Sequence, residues 1–268
     1  MSFFVNNVEL KQATFNQQEV KSIYFNTHLI WEAPSFEWPG WANATWEDVY
    51  NLCKQKQNGG ITAWPDDVVL EATKETTLST AILGTSTFTM RIIGLDIDGS
   101  GVITFDSKYV AAETTSCKLF NRYENNFYNY CNAKPYIKSL KKGTAPTSAA
   151  SGDRNGGVTY ADHYVWSLSE REVNLDKYSC ISVANSTLTK AECTYGVNQP
   201  YPYFTSNGSR KKRLKEGDSP CDYWGLRSGS QSKTLDGGSN VTITYWGDSD
   251  WAFEGTADIS FSPCFAIG

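Results

Sequence analysis

The chain has 268 residues, 40% of them hydrophobic and 14% aromatic, with a formal net charge of -5. That length and composition support a real core without staples, and no apolar run nears the roughly 20 residues of a membrane helix. The negative balance repels polyanions, so a nucleic-acid role would need a concentrated basic face; the one basic run, "RKKRLK" at 210–215, reads as a solvated loop.

Residues 1–34 read as a separate small β module. "FFVNNVEL" and "VKSIYFNTHLIW" alternate apolar and polar residues, with the Asn pair and "FNTH" at turn positions. "APSFEWPGWANA" is rich in Pro, Gly and Trp and marks a boundary near residue 35, so 35–268 forms the second domain. In "TWEDVYNLCKQKQNGG", Thr45 and Asp48 have capping-box spacing, Trp46, Val49, Tyr50 and Cys53 share one helical face, and Gly59 and Gly60 stop the helix. A second helix is expected through "NFYNYCNAKPYIKSLKKG", beginning after Pro135 or just before it, and a third, shorter one over "SLSEREVNL" at 167–175. "STFTMRIIGL", "GVITFDSKYV", "HYVWSLS", "NVTITYWG" and "DISFSPCFAIG" are β-branched or aromatic runs broken by turn residues. "TAPTSAASGDRNGGVTYADH" reads as a long surface loop. The pattern is α+β with more strand than helix.

"GLDIDGSGVITFD" places Asp96, Asp98, Ser100 and Gly101 at the first, third, fifth and sixth positions of an EF-hand loop. The preceding residues favour a strand, however, and the twelfth position is Ser107 where a bidentate Glu is needed. A β-hairpin turning on "DGSG" is therefore expected, because Gly supplies positive φ and Asp bonds its own backbone. Asp96, Asp98 and Ser100 are the only candidate metal ligands, and no cofactor is expected.

Seven cysteines (Cys53, Cys117, Cys131, Cys180, Cys193, Cys221 and Cys264) contain no CxxC pair, which argues against a zinc or redox motif. The opening "MSFFVNNVELKQ" lacks a basic segment leading into an apolar core. No signal peptide is expected, so the thiols read as reduced core residues, and the sequons at Asn43, Asn185, Asn207 and Asn240 read as chance. Of the two histidines, His28 lies in the N-terminal module and His163 in "YADHYVW", where Asp162 is too close in sequence to orient it as a catalytic base. Neither GxSxG, HExxH, a Walker loop nor a dinucleotide fingerprint occurs. Asp248 and Asp250 could pair as glycosidase carboxylates, although "WGDSDW" reads equally well as an exposed loop.

The C-terminal part carries a resemblance. "YVWSLSEREVN", "YPYF", "RKKRLKEGDSPCDYWGLRSGS" and "DISFSPCFAIG" follow the motif order of a broad bacterial and phage family of unknown function, marked by "LLS..E", an Arg-Lys stretch, "WWLRSP" and a closing "PAFCI". "TWEDVYNLCKQKQNGG" and "MRIIGLDIDGSGVITFD" resemble that family's opening segments, so the likeness covers about 44–268. Such domains look like variants of the C-type-lectin-like fold of formylglycine-generating enzymes and phage receptor-binding proteins. The resemblance implies that Trp224 and Leu226 pack in a core strand and that Arg227 holds the backbone by charge-assisted hydrogen bonds. It transfers no reaction: neither the lectins' calcium triplet nor the formylglycine-generating enzymes' cysteine arrangement is evident.

"VKSIYFNTHLIWEAP" resembles the "VYVNGTLVW" segment of short N-terminal modules in phage tail and virion proteins, with Thr27 in place of the usual Gly. Together the resemblances imply a non-enzymatic virion protein, assembled in the host bacterial cytoplasm. Residues 1–34 would bind other virion proteins, and the lectin-like domain would meet a host-surface glycan or protein. A homo-oligomer such as a trimer fits a fibre-like part, with neither nucleic-acid binding nor membrane insertion. The ligand-binding candidates are Tyr245, Trp246, Asp248, Asp250 and Trp251, because rigid aromatics and small polar groups make adaptable contact surfaces. The competing expectations are a head decoration or collar protein with a purely architectural role, and a carbohydrate-active enzyme.

Overall fold

A computed structural model describes the backbone of residues 4–5, 8–9, 13–15, 18–20, 22–25, 28–32, 36–80, 84–110, 114–115, 120–144, 159–169, 171–174, 198–206, 208–210, 212–213, 215–219, 223–230, 239–244, 249–251 and 259–268. The chain divides into two compact units, Met1–Pro39 and Gly40–Gly268. Among the described residues, no helix is long and apolar enough to cross a membrane.

The described residues of the first unit form three antiparallel hairpins: β1 (Phe4–Val5) with β2 (Val8–Glu9), β3 (Ala13–Phe15) with β4 (Gln18–Val20), and β5 (Ser22–Phe25) with β6 (His28–Glu32). The first and third fall on the two alternating stretches, whose period of two suits paired strands. The second is additional to the expected pattern.

In the larger unit, α1 (Trp46–Gln57) starts where expected. The Thr45 side chain accepts from the Asp48 N–H, the Asp48 carboxylate accepts from the Thr45 N–H, and Gly59 leaves the helix at φ 74°. Its buried residues are Trp46, Val49, Leu52 and Cys53; Leu52 takes the place anticipated for Tyr50, which is only half-buried beside Tyr136.

The next strands along the chain are β7 (Thr73–Thr80), β8 (Gly84–Leu95), β9 (Ile103–Ser107) and β10 (Thr114–Thr115). β8 and β9 form the hairpin expected around "DGSG", with Leu95 opposite Ile103 and Arg91 opposite Asp106. Gly101 needs its φ of 68°, and an added Cβ there would lie 2.8 Å from the Cys53 carbonyl oxygen of α1.

The second helix, α2 (Phe120–Tyr130), lies upstream of the expected position. The Asn132 N–H donates to the Thr77 carbonyl of β7 at 3.0 Å, and the Asn132 side chain accepts from Thr76 and Thr77, drawing the chain away from helical continuation. Pro135 then sits in a single 3-10 turn, Lys134–Tyr136. The remainder of the anticipated helix is extended instead, as β11 (Ile137–Lys138) and β12 (Leu140–Thr144).

β13 (Thr159–His163) pairs with β12 and replaces the end of the expected loop; β14 (Val165–Trp166) comes next. The third expected helix is one turn among the described residues. Ser169 and Glu172 bond reciprocally, as in a capping box, but Asn174 adopts φ 59° and ends the turn.

The last strands are β15 (Tyr223–Ser230), β16 (Ser239–Thr244), β17 (Ser249–Trp251), β18 (Ile259–Ser260) and β19 (Cys264–Ile267). One sheet has the order β11-β19-β9-β8-β7, with β14 also on β19; another has β10-β18-β15-β16-β17. The C-terminal strand is thus interior, flanked by β9 and by β11 and β14.

Side-chain alternation gives the central strands β9 and β19 of the first of these sheets two buried faces. On one, Phe105 and Phe265 meet Trp46 of α1 at 5.2 and 5.6 Å between ring centroids. On the other, Ile93, Cys264 and Ala266 join Trp166, Tyr201, Phe204, Trp224 and Leu226 in a second core. The architecture is α+β, rich in sheet with few helices.

Candidate functional site

Strand β9 is buried along its whole length, so the side chains between Ile103, Phe105 and Ser107 enter the second layer instead of solvent. Those side chains are Thr104 and Asp106. A buried carboxylate requires compensation, and Asp106 receives it from both sides of the layer. Arg91, its cross-strand partner, donates from Nη2 to Oδ2 at 3.0 Å, and Lys212 donates from Nζ to Oδ1 and Oδ2 at 2.6 and 2.7 Å. Ser262 completes the cluster, accepting from Lys212 at 2.6 Å and donating to Asp106 at 3.1 Å.

Lys212 belongs to the basic run expected to be a solvated loop. That expectation fails here: its side chain is 0% exposed and lies 4.8 Å from the Trp224 ring centroid. Arg210 also turns inward to donate to the Val173 and Asn174 carbonyls, while Arg213 is exposed. Burial lowers the Lys212 pKa from 10.5 to about 8; Asp106 opposes the shift and Arg91 reinforces it. Two cations therefore share one carboxylate, so this cluster carries one positive charge in excess.

Arg91 also borders a cavity of about 350 Å³. Its guanidinium stacks 4.1 Å from the Tyr203 ring centroid, Nη1 donates to the Tyr203 hydroxyl at 2.6 Å, and Nε has no hydrogen-bond partner. Arg91 and Tyr203 are the buried members of the lining; Lys108, Arg213 and Glu216 are its more exposed ones. The Val110 N–H donates to the Arg213 carbonyl at 2.9 Å, placing the basic run beside the end of β9. Lys108 and Glu216 form a 3.1 Å ion pair with side-chain exposures of 40% and 79%. Solvent screens such a pair, so it opens easily.

The turn before β9 holds a second buried network. Asp98 accepts from Lys142 at 2.7 Å, Tyr201 at 2.8 Å and Thr104 at 2.6 Å, while Glu172 lies 3.2 Å from the same lysine. Burial, together with the charges of Glu172 and Asp98, pushes the Tyr201 hydroxyl well above its ordinary pKa, so it acts as a donor. Asp96 accepts from the Trp64 indole at 2.8 Å and the Gly101 N–H at 2.6 Å. The candidate metal carboxylates therefore receive protein donors, and a cation at Asp98 would have to displace Lys142. Among the described residues, no group of three or more His, Cys, Asp and Glu side chains could hold a metal.

His163 lies at the end of β13, with Nδ1 3.9 Å from Glu124 Oε2, beside a cavity of about 260 Å³. Glu124 Oε1 accepts from the Ser167 N–H and hydroxyl at 2.8 and 3.1 Å. In a hydrolytic triad the imidazole stands between nucleophile and acid; here the carboxylate lies between Ser167 and His163. Nearby, Tyr128 and Tyr164 stack with centroids 4.3 Å apart.

Of the anticipated ligand-binding residues, Tyr245, Trp246 and Asp248 lie outside the described residues. The backbones of Asp250 and Trp251 lie on β17, opposite Thr242 and Val241. Trp224 and Leu226 are buried on β15, and the Trp224 indole donates to the Arg210 carbonyl at 2.9 Å. Arg227 lies on the same strand, with its side chain outside the described residues. Sequence reasoning missed Arg91, Asp106 and Lys212 as a unit, although charged residues punctuating the apolar "MRIIG", "VITFD" and basic segments were the available signal. The chain matches no protein-family model, no curated protein and no solved structure.

Proposed function

We propose that this chain is a structural protein of a phage virion, from the tail, fibre or baseplate region, whose larger unit is a C-type-lectin-like domain displayed for host-surface recognition. The supporting observation is convergence of the resembling motifs: Trp166 and Leu168, Tyr201 and Tyr203, Trp224 and Leu226, and Cys264 and Ala266 meet in one hydrophobic core. Segments spread along the chain but required in a single core carry fold information together. A small hairpin unit preceding this unit suits a docking module and a display domain in that order. In this reading residues 1–34 engage other virion proteins, the chain assembles as a homo-oligomer such as a trimer, and the domain binds without performing a reaction.

A density map of the particle tests the proposal. The expected result is the larger unit projecting outward with the β16–β17 region free; burial of that region against capsid or tail subunits favours the architectural alternative and overturns display. Depolymerase activity abolished by substituting Asp248 or Asp250 would instead establish the enzymatic alternative.

A further inference from the structure

The Arg91 cavity is incomplete as a charge arrangement. Its lining and the cluster behind it contain four cations, Arg91, Lys108, Arg213 and Lys212, against the carboxylates Glu71, Glu216 and Asp106. The hydrogen bonds and ion pairs of Arg91 go to Tyr203 and Asp106, and Nε is unpartnered at a residue only 6% exposed. Buried positive charge raises the free energy of the unliganded protein, and an approaching anion offsets that cost. The excess is one charge, matching a monoanion, and a planar guanidinium pairs geometrically with a carboxylate. Exposed Thr73 and Ser209 supply hydroxyls on the same lining, and Tyr109 supplies an aromatic ring with a polar tip. About 350 Å³ lies at the small end of ligand cavities, roughly 300–1,000 Å³, which suits one sugar unit.

We propose that the Arg91 cavity binds the carboxylate of an acidic sugar, with Arg91 and Arg213 meeting the anion and Lys108 released from Glu216 to join them. The sugar assignment rests on the host-surface reading above, whereas the carboxylate assignment rests on the cavity itself. A bacterial surface would present such a unit as a uronic acid within a polysaccharide.

The test is titration of the intact chain with sodium glucuronate, glucose, acetate and inorganic phosphate at one ionic strength, monitored by calorimetry and amide chemical shifts. The expected result is glucuronate binding at least about 10-fold tighter than each of the other three, with Arg213→Glu and Lys108→Ala each weakening it by about 10-fold or more. Both substitutions are at partly or fully exposed positions, so unchanged amide spectra elsewhere would report an intact fold. A preference below 10-fold, binding of glucose or phosphate equal to that of glucuronate, or insensitivity to Arg213→Glu overturns the inference. Antibody labelling of particles separates the two claims. Labelled virions with no glucuronate binding sink the acidic-sugar site and leave display standing, whereas glucuronate binding without particle labelling does the reverse.

Discussion

Asp106 and Lys212 form a fully buried ion pair, 2.6 Å apart, between residues separated by 106 positions in sequence. The pair joins β9 to the basic segment, and Arg91 makes it a triad with an excess positive charge. A buried pair of this kind contributes little net stability while intact but is costly to break on one side. The two ends of the pair should therefore respond differently to mutation.

Asp106→Asn leaves two buried cations without a carboxylate and should destabilise the larger unit by about 3–5 kcal/mol. Lys212→Met leaves the Arg91–Asp106 pair neutral overall and strands only the Ser107 carbonyl, since the Ser262 hydroxyl still donates to Asp106, so its cost should be on the order of 1–2 kcal/mol. Urea denaturation of both variants checks the order; equal losses would contradict the charge assignment.

Lys212 also makes stability depend on pH. Its folded value of about 8 lies below the ordinary 10.5, so unfolding takes up a proton between those values. This contribution is present above about 10.5 and is lost as pH falls through about 8; stability attributable to Lys212 thus rises with pH across that window. The stability difference between wild type and Lys212→Met should shift in favour of wild type from about pH 7.5 to about pH 9.5. A difference independent of pH would remove the depressed lysine from the account.

Asp98 is neutralised by Lys142, so chelator or added calcium should leave the melting temperature unchanged. Asp98→Asn should lower it, because an NH2 group replaces one of the two oxygens that accept from Lys142, Tyr201 and Thr104, leaving a buried donor without its acceptor. A calcium-dependent rise in melting temperature would show that an ion displaces Lys142.

Gly101→Ala should cost about 1–3 kcal/mol, since φ is 68° and the new Cβ would press within 2.9 Å of α1 backbone at both Cys53 and Gln57. Thermal denaturation beside Gly217→Ala, which has φ 85° but open space around it, separates collision from backbone strain. Equal losses would deny the α1 contact its role.

Burial pushes the Cys53 and Cys131 thiols up to about 12 and 11, and that of Cys264 also well above its ordinary value. Peptide mapping after iodoacetamide treatment should find all three unlabelled in native protein and labelled in denaturant, because the thiolate is the reactive form. Native labelling of Cys264 would contradict its place in the core.

The capping residues Thr45 and Asp48, the stop at Gly59, and the hairpin built on "DGSG" act through neighbours a few positions apart, so they were legible from the chain alone. The α2 boundary was not, because the donor that draws Asn132 out of the helix partners Thr77, 55 residues earlier. A short helix over 167–175 was legible, and Ser169 and Glu172 do start it, but the left-handed Asn174 ends it after one turn. The largest difference concerns β9. "VITFD" alternates as a strand with one solvent face would, yet packing of the segments around Tyr203, Lys212 and Trp224 covers that face too. Local pattern specifies which side chains share a face; whether a second layer buries that face depends on residues more than a hundred positions away. Burial by that layer is what turns Asp106 from an ordinary polar residue into the centre of a charge cluster.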